Sequence, residues 1–292
     1  MYKSHRSMRY AYAILGSMKG GKKAQGFTIM ETLIVLAVTS TLFVIIAATL
    51  SGRQQRTQFE QAANDIRAQI QQVINDVGTG FYPSTNNFSC SAGAFGPVIA
   101  PGSTTQGENT GCIFLGKAMQ FKVGTDASAY NIFPIAGLQR TTAGLEVATY
   151  AEARPKALSP SVSDSSVPDV VEKKKLQYGL TTYSMTYGAS NTPIGMFAIV
   201  NSLATYSSGT LVSSSQQLNI VPVSGSGLNA SQATAAESIN TNLASSPTNP
   251  AGGIKICFAS AGSNQSGLVT IGPTSAGQLS VTLSIKANTS CV

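Results

Sequence analysis

The 292-residue chain contains no Trp, a single His and few charged residues, which make up 11% of it. So low a charge fraction excludes a coiled-coil array and a charged disordered chain. There is no GxxxxGK[ST] phosphate loop, so the chain is not expected to be an ATPase of that kind. None of the four Cys lies in a CxxC pair or near a His, and no metal site is expected. The acids beyond residue 100 are scattered. Asp164 and Asp169 lack the dense alternating ligands of a calcium loop, and nothing singles out two carboxylates for glycoside hydrolysis. No cofactor and no enzymatic activity are expected.

The length allows one or two domains. Abundant Ser, Thr, Gly and Asn suggest a β-rich body outside the cytoplasm. The formal net charge is +7, which taken alone points to nucleic acid or an anionic membrane surface. Residues 1–26 hold six of the 19 basic residues (Lys3, Arg6, Arg9, Lys19, Lys22 and Lys23), none of the 12 acids, and the sole His, His5. An apolar run follows, with 18 uncharged residues from Leu33 to Leu50, long enough to cross most of a bilayer as a helix. A basic flank before such a run keeps the N-terminal side cytoplasmic and exports the remainder. A secretory signal peptide or an uncleaved anchor would share this layout, and Ala47-Ala48 offers a late cut. Glu31 separates the readings. A carboxylate in a membrane helix costs about 2.5–3.5 kcal/mol and calls for a partner or a task.

Gly26-Phe27-Thr28-Ile29-Met30-Glu31, behind a basic leader and ahead of an apolar helix, resembles the processing site of type IV prepilins and related pseudopilins. The resemblance is close over residues 20–60 and architectural beyond them. It implies that a membrane aspartyl prepilin peptidase cuts between Gly26 and Phe27, and that the new amino group of Phe27 is methylated. It further implies that Glu31 neutralises the N-terminal amine of a neighbouring subunit during filament assembly. Two charges in a low-dielectric bundle tolerate burial only as a pair. The leader is long for the family, and the apolar helix lacks the midway Pro of many major pilins, a common kink site. The cut would remove His5, and with it any Ser-His-Asp or Cys-His chemistry. It would leave 13 basic and 12 acidic residues, a net of +1, which withdraws the argument for nucleic acid.

Beyond Arg53, apolar residues fall at Phe59, Ala63, Ile66, Ile70, Val73 and Val77, at alternating steps of four and three. That is one stripe of an amphipathic helix. Neither Pro nor Gly interrupts 53–77; Gly78-Thr79-Gly80 is a stop signal and Gly52 a local weak point. The pattern predicts a single helix over 27–77, about 77 Å long. Residues 27–52 would be its membrane or filament-core half, and 53–78 the half that docks on a sheet.

Residues 79–292 would form the exported head. The stretch after Tyr82-Pro83 reads as loop as far as Cys112. Strands are expected at 118–123, 130–135, 145–150, 178–187, 195–203, 210–212 and 217–223. Residues 153–175 read as an exposed excursion, with Lys173-Lys174-Lys175 as a solvated turn. A short helix is expected over 228–243 with Ser231 as N-cap, then three strands in an antiparallel meander at 253–259, 267–271 and 278–287. Cys90, Cys112, Cys257 and Cys291 all fall in the exported part, where disulfides persist. Of the three pairings four Cys permit, the local one, Cys90 with Cys112 and Cys257 with Cys291, is expected. The second pair resembles the bridge that staples the C-terminal region of many pilins.

The expected fold class is therefore α+β: a long N-terminal helix packed on a β-rich head with an antiparallel sheet. The resemblance implies a structural subunit of a type IV pilus-like filament, of a minor or specialised kind given the size of the head. Its partners would be the prepilin peptidase, other pilin subunits, the cytoplasmic membrane and a pilus assembly platform, and nucleic acid would not be among them. It would be a single-pass cytoplasmic membrane protein before processing and part of a surface or envelope-spanning filament afterwards. A pseudopilin of a type II secretion or competence system is the nearest alternative. A membrane-anchored surface adhesin or hydrolase with an uncleaved signal anchor is the alternative from another class.

Overall fold

The computed structural model describes residues 28–80, 88–94, 96–101, 111–141, 143–160, 169–203, 206–207, 210–211, 217–223, 230–243, 249–260, 264–274, 278–287 and 291. Contacts divide the chain into two units, Met1–Leu50 and Ser51–Val292. Helix α1 spans Ile29–Thr79. After it come β1 (Phe88–Gly93), β2 (Gly96–Pro101), β3 (Cys112–Val123) and β4 (Asp126–Leu138), then the short helix α2 (Tyr150–Ala153). Strands β5 (Lys156–Ala157), β6 (Glu172–Lys175), β7 (Leu180–Tyr187), β8 (Thr192–Pro193), β9 (Met196–Asn201), β10 (Tyr206–Ser207), β11 (Thr210–Leu211) and β12 (Leu218–Val223) follow. Helix α3 (Gln232–Leu243) and strands β13 (Ile254–Ser260), β14 (Ser266–Pro273) and β15 (Leu279–Lys286) complete the described elements.

Every described strand pairing is antiparallel. One sheet has the order β12-β9-β3-β4-β5, with β6 also on β4; a second has the order β15-β14-β13-β7-β8. The pairs β1-β2 and β10-β11 stand as separate hairpins. The chain is thus α+β, with one long N-terminal helix and an antiparallel β-rich body.

In the second unit the helical stripe meets both sheets. Phe59, Ala63, Ile66, Ile70, Val73 and Val77 are all buried, and Ala62 and Ile74 widen the face. Apart from Ala63, they share a core with Met119, Phe121, Phe197 and Ile199 of one sheet and Met185, Ile256, Phe258 and Ile271 of the other. Each such aliphatic or Phe side chain contributes about 1.5–3 kcal/mol through its burial. Phe121 joins the two sheets: its ring stacks on Phe197 at 6.4 Å and meets Phe258 edge-on at 5.8 Å. A second core lies around Leu115, Phe133, Met196, Ala198 and Val200, packed with Ala235, Ala236 and Ile239 of α3. Strand β9 reads Met-Phe-Ala-Ile-Val because alternate residues enter different cores and all five are buried. Gly116 on β3 is required by close approach, since a Cβ there would collide with the carbonyl oxygen of Ile199 on β9.

Several expectations from sequence are corrected. The segment expected as loop before Cys112 contains the β1-β2 hairpin. Residues 145–150 are not a strand: Glu146 makes an isolated bridge to Arg140, and Tyr150 begins α2. The reason is local. Thr149 accepts from the Glu152 amide while the Glu152 carboxylate accepts from the Thr149 amide, a capping box that starts a helix. The excursion over 153–175 contributes β5 and β6, both hydrogen-bonded to β4. The three-Lys run is therefore a strand, not a solvated turn. Helix α1 continues through Gly78 to Thr79 and ends at Gly80, where φ is +67° and left-handed backbone favours Gly. Helix α3 starts at Gln232, and Ser231 caps it by accepting from the Thr234 amide through Oγ. Leu228 and Val212, at ends of expected elements, lie outside the described residues.

Candidate functional site

The first unit offers an apolar helix that starts at a hydrogen-bonded cap. Thr28 precedes α1, and its Oγ1 and carbonyl oxygen accept from the Glu31 amide at 3.3 and 3.0 Å. Thr28 thereby satisfies one of the helix's unpaired N-terminal donors. Glu31 stands in the first turn, exposed, where the helix dipole favours an anion. From Ile29 to Ile46 the large apolar residues are 52–81% exposed. The hydroxyls of Thr32, Thr39 and Thr41 donate back to carbonyls of the preceding turn at 2.8–3.1 Å. Each is thus satisfied without water, which suits an apolar surrounding. Helix α1 is long and apolar enough to cross a membrane, and none of its most apolar stretch is buried in the protein. This is consistent with a single membrane anchor. Of the sequence-predicted site residues, Glu31 is placed in this way, while Gly26 and Phe27 lie outside the described residues.

The second unit fixes the other half of α1 by polar contacts as well as by its apolar face. Lys117 on β3 is 3% exposed; its Nζ lies 2.7 Å from Asp76 Oδ2 on α1 and 3.6 Å from Glu172 Oε1 on β6. Glu172 also pairs with Lys174 at 3.1 Å, and Lys174 donates to Gln69 Oε1 on α1 at 2.9 Å. Arg67 donates to the Val281 carbonyl of β15 at 3.3 Å, and Asn201 of β9 to the Val77 carbonyl at 2.6 Å. These ties escaped the sequence reading. Their signal was weak: Lys117 is one cation within the buried run of β3, and partners 41 residues apart cannot be read from spacing.

Beside these contacts a cleft of about 410 Å³ opens between α1 and the β6 region, lined by Asp65, Gln69, Tyr130, Lys174 and Lys175 among others. Burial, with the nearby Glu172 charge, pushes the Tyr130 phenol up to about 12. Asp169 is penalised by burial, yet hydrogen bonds from Lys173, Gln232 and the Val171 amide, with the Lys173 charge, hold it below the ordinary carboxylate range.

Disulfides join Cys90 of β1 to Cys112 of β3, with Cα atoms 6.0 Å apart, and Cys257 of β13 to Cys291 beyond β15, at 5.8 Å. Among the described residues no three His, Cys, Asp or Glu side chains group as a metal site. The chain matches no family model, no curated protein and no solved structure.

Proposed function

We propose that the chain is a prepilin-type structural subunit, of a minor or specialised kind, of a type IV pilus-like filament. Prepilin peptidase would cut after Gly26, Phe27 would be methylated, and residues 27–52 would hold the subunit in the cytoplasmic membrane until an assembly platform passes it into the filament. The observation that carries the reading is the one carboxylate, Glu31, in the first turn of α1, whose first half is otherwise uncharged as far as Gly52 and exposes its large apolar residues from Ile29 to Ile46. A lone carboxylate there is costly unless a cation from a neighbouring subunit meets it. The α-amino group of Phe27 would supply that cation.

The test is Glu31→Ala in the full chain. Prepilin peptidase should still cleave the variant, because the cut lies outside the substituted turn. Its recovery in sheared filaments should fall at least about tenfold, the equivalent of about 1.4 kcal/mol. Incorporation equal to wild type would remove the charge-pair argument.

A further inference from the structure

Among the described residues Lys117 is the buried cation. The other ion-paired Lys and Arg side chains range from 34% to 73% exposed, whereas Lys117 is at 3%. It extends from the face of β3 that also carries Met119 and Phe121, both in the core beneath α1. Two carboxylates face its Nζ: Asp76 Oδ2 in direct contact at 2.7 Å and Glu172 Oε1 at 3.6 Å. Glu172 gives its other oxygen, Oε2, to Lys174 at 3.1 Å, so Oε1 is the atom turned toward Lys117. A buried ion pair bears a desolvation cost that its mutual attraction only partly offsets.

We propose that Lys117 and Asp76 condense into an intramolecular amide, with Glu172 carrying the proton. Within the pair, the ammonium proton passes to the carboxylate, leaving an amine and a carboxylic acid. The Nζ lone pair attacks Cγ of Asp76. Glu172 accepts the proton released from nitrogen and returns it to the departing oxygen. One C–N bond forms, one C–O bond breaks and one water leaves, with no oxidant or reductant. The product is uncharged where a buried ammonium and a half-buried carboxylate stood, which removes the desolvation cost of the Lys117 charge. Holding the two groups in contact makes the step unimolecular, one of the advantages an enzyme would otherwise supply. The bond would tie α1 to β3, an inner strand of its sheet. It would do so whether or not the chain assembles through Glu31, so its test is separate from that of the proposed function.

The test is peptide mapping of the wild-type full chain, reduced, alkylated and digested with trypsin. No Lys or Arg lies between Arg67 and Lys117, and the next is Lys122. An amide at Lys117 blocks cleavage there. The expected peptide is 68–122, lighter by one water, with no backbone fragment ions arising between 76 and 117. A peptide 68–117 of full sequence mass would overturn the proposal. Glu172→Gln should leave the chain folded by circular dichroism and shift most of the material to the uncross-linked 68–117. A complete cross-link in that variant would overturn the role given to Glu172. Lys117→Arg should abolish the light peptide, and its persistence would also overturn the assignment.

Discussion

Asn201 on β9 donates its Nδ2–H to the Val77 carbonyl of α1 at 2.6 Å, and the Gly80 amide shares the same acceptor at 3.2 Å. The last carbonyls of a helix have no partner within it, so a sheet side chain here closes the helix end. Asn201→Ala removes that donor at an expected cost of about 0.5–1.5 kcal/mol. The cost should sit toward the lower end, because Asn201 Oδ1 is itself buried with no partner among the described residues. Urea unfolding of the full chain in detergent checks this. An unchanged midpoint would contradict it.

Two glycines on the sheets should respond oppositely to a methyl group. At Gly116 a Cβ would collide with the Ile199 carbonyl and approach Val200 Cα to 2.9 Å, both backbone atoms that cannot move alone. At Gly267 it would sit 3.5 Å from Phe59 and 3.8 Å from Leu283, ordinary contact in the seam between α1 and β14-β15. Gly116→Ala should therefore destabilise by about 1–3 kcal/mol or misfold, as overpacking does. Gly267→Ala should be neutral or slightly stabilising. Thermal melts of the two variants compare them directly.

Alkaline conditions should weaken the head through Tyr130. Its folded value is raised to about 12 by burial and by Glu172, against about 10 in the unfolded chain. Between those values the unfolded state releases a proton that the folded state keeps. Stability from this group is thus complete below pH 10 and is lost as pH rises toward 12. Tyr130→Phe should flatten the fall in stability over that window. An unaltered slope would show that the phenol does not contribute.

The helix was legible because a 3.6-residue period survives in sequence: every stripe residue from Phe59 to Val77 is buried. The C-terminal meander was legible for a similar reason, as β13, β14 and β15 are apolar runs parted by turn residues. Strand β6 was hidden because Glu-Lys-Lys-Lys has no β-branched or aromatic residue. It is held by β4 and by ion pairs rather than by its own propensity. The capping box at Thr149 and Glu152 was readable as T-x-x-E, but the apolar Leu145 and Val147 ahead of it suggested a strand instead. Glu31 stood out because it breaks an uncharged run. Lys117, Asp76 and Glu172 did not, because only the folded topology brings α1, β3 and β6 together.

The native N-terminus tests the central claim most directly. Mass spectrometry of the protein recovered from its own envelope should find a chain beginning at N-methylated Phe27. A chain beginning at Met1, or one cut near Ala48, would contradict the account.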